Sequence, residues 1–281
     1  MRYSERITTM QSSPIRKLAH IASSAKAKGI KIYHLNIGQP DIKTPKVFFE
    51  AVKNFNNEVL EYAVSPGLPE LISSLQQYYT TYNMDFESDE ILVTNGGSEA
   101  LLFALMATCD PKDNILVPEP FYSNYNGFSQ SINVNITPIT TKAEEGFHLP
   151  SKEKIQSLIT SKTKAILISN PGNPTGTVYT KKELYMISEI AKENDLWIIS
   201  DEVYREFVYD GLEYTSFGNI KEVEDRVIII DSVSKRYSAC GARIGSIASK
   251  DKTLIAEILK LCQGRLCVSA LDQVGSVELY N

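Results

Sequence analysis

Histidine and cysteine are scarce in this chain of 281 residues, with three and four copies. The cysteines, Cys109, Cys240, Cys262 and Cys267, form no C-x-x-C pair, and so few histidines give little support for a metal site. Four reduced thiols in a cytoplasmic protein is the plainer reading. Long apolar runs are missing too. The longest, such as Leu101–Ala107 and Val227–Ile230, fall far short of a membrane span. The opening MRYSERITTMQSSP has no apolar core, so it does not read as a secretory signal. Nor is there an excess of positive charge. A formal net charge of −5 argues against a general binder of nucleic acid or membrane surfaces. No internal repeat or low-complexity block occurs. What remains, 43% hydrophobic and 22% charged residues, is enough apolar content for a globular core and excludes disorder.

The chain alternates. Short runs rich in β-branched residues recur at Ile91–Thr94, Asn114–Val117, Ala165–Ser169, Leu196–Ser200 and Val227–Asp231. Helical patterns lie between most of them. Leu184, Ile187 and Ile190 mark one helix face, and Ser98–Thr108 and Asp251–Leu261 read alike. Strands alternating with helices predict an α/β fold: a mostly parallel sheet with helices on both faces. The stretch up to about Gly38 falls outside this alternation and reads as an arm or part of a second domain. Ser269–Tyr280 has helical spacing at Leu271, Val274 and Val277.

Parallel sheets bind ligands beyond the carboxyl ends of their strands. The segments just after the apolar runs are therefore where chemistry is expected. Lys235 follows such a run in Ser232-Val233-Ser234-Lys235. A lone lysine there is usually a solvated charge, but burial would favour the neutral amine that a Schiff base requires. Arg243 would add a nearby cation able to grip a phosphate. Asp201 ends the run Trp197–Ser200. It is either a capping carboxylate or a group that keeps a heterocyclic nitrogen protonated. Tyr204 is spaced to reach the same ligand, and Glu202 receives no role. Gly96-Gly97-Ser98 sits between strand and helix, where backbone N–H groups attract phosphate, although glycines at such turns are common. It is neither a Walker A loop nor G-x-G-x-x-G. Asn173-Pro174-Thr175-Gly176 is a plain turn or a cis bond that aims Asn173 into a cleft. Tyr122 follows a Pro-Glu-Pro bend and can stack on a planar ring, though it is one of 15 tyrosines.

In combination and in this order, these motifs resemble the fold-type I, pyridoxal phosphate-dependent aminotransferases of class I/II. The resemblance runs from about Leu35 to the last residue. It rests on Leu35-Asn36-Ile37-Gly38-Gln39-Pro40-Asp41, Tyr62 with Gly67, Gly96-Gly97-Ser98, Asn170 to Gly176, Asp201 to Tyr204, and Ser232 to Lys235 with Arg243. It implies a three-layer sandwich, the major domain of that fold, with the aspartate aminotransferase-like subgroup nearest.

The same resemblance implies that Lys235 carries the cofactor as an internal aldimine and that Asp201 pairs with its ring nitrogen. Asn173 and Tyr204 would contact the ring hydroxyl, and Tyr122 the ring face. Gly97, Ser98, Ser232 and Arg243 would bind the phosphate. Catalysis falls to Lys235, Asp201 and Tyr204. Gly38, with Asn173, would meet the substrate carboxylate. Tyr62 would reach the phosphate of a neighbouring copy, which implies a homodimer with shared sites.

The implied substrates are an amino acid, aspartate favoured, and a 2-oxo acid. The implied domains are an arm with part of a small domain over 1–40 and a cofactor-binding large domain over 41–281. Family members continue for about 100 further residues, a small domain's worth. That part carries an Arg that clamps the substrate α-carboxylate, and no position here matches it. The sequence thus reads as lacking the C-terminal small domain. A lyase, decarboxylase or cyclopropane-forming synthase on the same fold, and a non-catalytic cofactor-binding remnant, stay open beside the aminotransferase.

Overall fold

The computed structural model describes residues 1–281 in backbone and, Ile15 apart, in side chain. One sheet organises the chain. Its strands are β1 (Ile91–Thr94), β2 (Asn114–Glu119), β3 (Asn135–Thr140), β4 (Thr163–Ser169), β5 (Trp197–Asp201), β6 (Val227–Ser232) and β7 (Gly245–Ala248). They lie in the order β1-β7-β6-β5-β4-β2-β3. β2 to β6 pair in parallel, and β7 is antiparallel to both its neighbours, β6 and β1. Every strand except β7 therefore points the same way, and their carboxyl ends share one edge with the start of β7.

All five expected strands are present. The two unforeseen ones have physical reasons for being quiet in sequence. β3 reads NITPIT, sits at the sheet margin and is mostly exposed or half-buried. The margin tolerates its Pro138. β7 reads GSIA, three small residues plus one isoleucine, yet it is wholly buried.

The helices are α1 (Glu5–Thr9), α2 (Ala19–Ala27), α3 (Lys46–Lys53), α4 (Pro69–Thr80), α5 (Gly96–Thr108), α6 (Asn124–Ser131), α7 (Lys152–Gln156), α8 (Lys181–Glu193), α9 (Val233–Arg236), α10 (Lys252–Arg265) and α11 (Ala270–Tyr280). Period-two alternation along the strands divides the core into two layers. Ile166, Ile168, Ile198 and Ile229 face α4 and α8, where Leu71, Leu75, Leu184, Ile187 and Ile190 are buried. Ala165, Leu167, Ile199 and Ile228 face α5 and α10, where Leu101, Leu105, Leu254 and Ile258 are buried. This is the expected three-layer sandwich.

Local chemistry sets the helix ends. Thr180 Oγ1 accepts the Glu183 N–H while Glu183 Oε2 accepts the Thr180 N–H, a reciprocal cap that starts α8. Asp251 Oδ1 accepts the Leu254 N–H and starts α10.

α11 forms where its spacing predicts, but it buries a different face. Gln273, Gly275, Ser276 and Leu279 are buried, whereas Leu271, Val274 and Val277 are only half-buried. The cause is close packing. A Cβ on Gly275 would come within 2.7 Å of the Phe48 ring of α3. Gln273 Oε1 also accepts the Leu68 N–H at 2.7 Å. At the other end of the chain, α1 and α2 bury no residue. α1 leans on α6 through Arg6, which donates to the Ser131 carbonyl at 2.9 Å. Among the described residues no helix is long and apolar enough to cross a membrane.

Candidate active site

Six chain segments meet at the carboxyl edge of the sheet. β5 ends in Asp201, and the Asn170 N–H that follows β4 donates to the Asp201 carbonyl at 3.0 Å. β6 ends in Ser232 and passes directly into the short α9, which carries Lys235. β1 runs through Asn95 into α5, so Gly97 and Ser98 lie in that helix's first turn. The two turns touch: a Cβ on Gly97 would lie 3.9 Å from Ser232 Cβ and 3.5 Å from Val203 Cγ1. After β2 come Phe121 and Tyr122, and Tyr122 meets Tyr125 of α6 edge to face at 5.5 Å. Asn173 Nδ2 donates to the Tyr204 hydroxyl at 3.4 Å. Its bond to Pro174 is cis.

Asp201 is the electrostatic centre. It is 4% exposed. Its Oδ2 accepts the Tyr125 hydroxyl at 2.6 Å and its Oδ1 the Val203 N–H at 3.4 Å. Burial pushes its pKa up to about 6, Asp231 and Glu202 push the same way, and these two donors hold it back. The nearby phenols respond to burial and then to the Asp201 charge: Tyr204 is raised to about 12, and Tyr122 and Tyr125 are also raised.

Lys235 departs from the expectation of burial. It is half-buried, and its Nζ donates to the Gly38 carbonyl at 2.5 Å. The arm supplies that acceptor, so Lys235 and Gly38 do come together. Arg243 is exposed and lies against the glycine turn. It donates to the Cys240 and Asn95 carbonyls at 3.0 and 3.4 Å. Gly96 makes room for it, since a Cβ there would sit 2.3 Å from Arg243 Nη2. Tyr62 is the one expected residue outside this cluster. It is 81% exposed and lines a groove with Phe55, Leu68 and Val274.

These residues fit a phosphorylated pyridine ring. The Asp201 carboxylate is buried with hydroxyl and amide donors but with no cation paired to it among the described residues, so a protonated ring nitrogen would complete it. No side chain of the cap residue Asn95 closes the start of α5, and Arg243 stands beside it. Helix amides plus a guanidinium make a phosphate cup.

Tyr125 escaped the sequence reading. Its only local signal is a place three positions after Tyr122, one helical turn away on α6. Glu202, left without a role, is fully buried and grips Arg205, which donates to it at 2.7 Å.

The profile of the family Aminotransferase class I and II matches residues 30–279. A probable aspartate aminotransferase of Methanocaldococcus jannaschii is 34% identical over 282 residues, covering 98% of this chain and 72% of the relative. The crystal structure of aspartate aminotransferase from Thermotoga maritima superposes with a TM-score of 0.93 at 31% identity, over 99% of this chain and 74% of that one. Alanine aminotransferase from Pyrococcus furiosus superposes with a TM-score of 0.91 at 33% identity, over 100% of this chain and 73% of that one. On this match, and with a sheet edge that fits the ring, the chain belongs to the class I and II aminotransferases, whose cofactor is pyridoxal phosphate.

Proposed function

We propose that this aminotransferase takes its amino group from an acidic amino acid, aspartate foremost, and passes it to a 2-oxo acid, with Lys235 as the cofactor-bearing amine. The observation that carries the site assignment is the buried, cation-free Asp201 on the same sheet edge as Lys235. The aspartate preference draws on the names of the similar proteins, two of the three being aspartate aminotransferases.

When bound, pyridoxal phosphate supplies a conjugated ring that withdraws electrons from the substrate α-carbon. The chain does the rest. Asp201 holds a proton on the ring nitrogen, so the ring stays cationic. Lys235 Nζ would hold the cofactor and is placed to take up the proton that leaves the substrate α-carbon. Tyr204 and Asn173, already in contact with each other, orient the ring hydroxyl. Tyr122 covers one ring face. Gly97, Ser98, Ser232 and Arg243 hold the phosphate. Gly38 and Asn173 receive the substrate carboxylate.

We assign residues 41–281 to the cofactor-binding domain and 1–40 to an arm with part of a smaller domain. The strand-free start of the chain and its unburied helices support that division. Tyr62 serves the phosphate of a second copy, which its exposure allows. The four free thiols favour the cytoplasm.

The test is spectroscopic. Purified protein is mixed with pyridoxal phosphate, reduced with borohydride and peptide-mapped; an unreduced sample is titrated with aspartate, alanine and aromatic amino acids. The expected result is a visible band fixed onto Lys235 by reduction and bleached first by aspartate. Label on another lysine would overturn the Lys235 assignment, and preferential bleaching by alanine would overturn the substrate assignment.

A further inference from the structure

Four charged side chains lie buried directly behind the site. Glu202, Arg205 and Asp231 have side chains at most 1% exposed, and Arg236 is 6% exposed. Each is the sequence neighbour of a site residue: Glu202 of Asp201, Arg205 of Tyr204, Asp231 of Ser232, and Arg236 of Lys235. Asp231 is the junction. Its Oδ1 accepts the Ser232 N–H at 2.7 Å, and its two oxygens share Arg236 Nη2 at 3.2 and 3.1 Å. Its Oδ2 also accepts from Arg205 Nη1 at 3.0 Å, and Arg205 Nη2 reaches Glu202 at 2.7 Å. The guanidinium of Arg236 lies 4.1 Å from the Tyr78 ring centroid.

Stability alone is a poor reason for this arrangement. Buried ion pairs are often matched or bettered by apolar residues of equal volume. Arg236 also keeps Nε and Nη1 buried without hydrogen-bond partners, although Glu206 stands 3.3 Å from Nε in an ion pair. Leaving such donors unsatisfied is costly. Geometry is a better reason. The Asp231 carboxylate binds the first amide of the Ser232–Arg236 turn and the side chain at its end. It thereby closes a ring around the turn that bears Lys235.

We infer that Arg236, seated on Asp231, is the positioning residue for Lys235, fixing where its amine leaves the sheet edge, while Arg205 ties that turn to the one bearing Asp201 and Tyr204. This rests on the reading of Lys235 as the cofactor-bearing amine. Arg236 touches neither cofactor nor substrate; it acts through the turn.

The experiment compares Arg236→Met with the unaltered chain, and Lys235→Ala with the double variant Lys235→Ala/Arg236→Met. Two quantities are read: the rate at which pyridoxal phosphate is fixed on Lys235 under borohydride, and the non-covalent affinity for pyridoxal phosphate in the Lys235→Ala background. Asp231 keeps Arg205 and the Ser232 amide in Arg236→Met, so the fold should persist. The expected result is a fall of about ten- to a hundred-fold in the fixing rate. Non-covalent affinity should change less than about two-fold. An equal loss in both backgrounds would overturn the proposal, because Arg236 would then support the whole pocket. An unchanged fixing rate would overturn it as well. Should Arg236→Met not fold, Arg236→Lys keeps the charge and stem over Tyr78 but lacks the planar fork, and gives the same comparison. Failure of the unaltered chain to take label on Lys235 would instead sink the cofactor-amine reading.

Discussion

Asp201 keeps its proton to about pH 6 in the folded chain because burial strips water from its carboxylate, whereas its ordinary value is 3.8. The folded state thus binds that proton more tightly than the unfolded state does. Stability from this group is present below about pH 4 and is lost as pH rises towards about 6. The loss is on the order of 3 kcal/mol. Urea unfolding of the cofactor-free protein should show this decline. Asp201→Asn should flatten it and be the more stable protein at pH 8, yet lose most α-proton exchange once the cofactor is added. An unaltered slope would mean that Asp201 does not titrate there. Tyr125→Phe removes a donor that lowers the Asp201 pKa. Its expected effect is an upward shift in the midpoint of the decline and a loss of about 1 kcal/mol at pH 8. Lys235 and Asp201 were legible in the sequence because each closes or follows a β-branched run. Tyr125 was not, since it reaches Asp201 across 76 positions and nothing local marks it among 15 tyrosines.

Elements that carry large apolar side chains announce themselves, as β4, β5, β6 and α8 do. β7 does not, because it carries one large apolar side chain and backbone closes around its first residue. A Cβ on Gly245 would meet Gly96 C at 2.5 Å, Gly97 N at 2.7 Å and the Asp231 carbonyl at 2.9 Å. None of these atoms can swing aside. Gly245→Ala should therefore cost about 1–3 kcal/mol. It should also weaken binding of inorganic phosphate by spreading the glycine turn from the strand. Gly241→Ala is the control, since nothing lies within 4 Å of its Cβ position. Chemical denaturation with a phosphate titration separates the two, and equal behaviour of both variants would refute the packing argument. α11 teaches a related lesson. Its spacing located the helix, but the closeness of Phe48 at Gly275 chose which face turned inward.

For the molecule as a whole, exposed apolar side chains crowd the first 64 residues: Leu35 is 98% exposed, Ile42 77% and Tyr62 81%. Such a concentration is what the proposed pairing of two copies would cover. Sedimentation should give the mass of two 31.4 kDa chains. Tyr62→Ala should weaken cofactor retention while leaving the sheet's unfolding unchanged, and a monomer that retains cofactor as tightly would exclude the shared site. The sheet order has a consequence for synthesis. β1 lies at the sheet margin and, among the described residues, its ladder is to β7 alone, with Ile91 opposite Ala248. A ribosome delivers β1 early and its partner late. Until Gly245–Ala248 clears the exit tunnel, β1 has no strand to pair with, although the first turn of α5 can already rest on Ile230 and Ser232 of β6. A nascent chain that has cleared the tunnel only as far as Lys235 thus exposes that side chain before β1 is paired, and the sheet closes only when translation has carried Ala248 out as well.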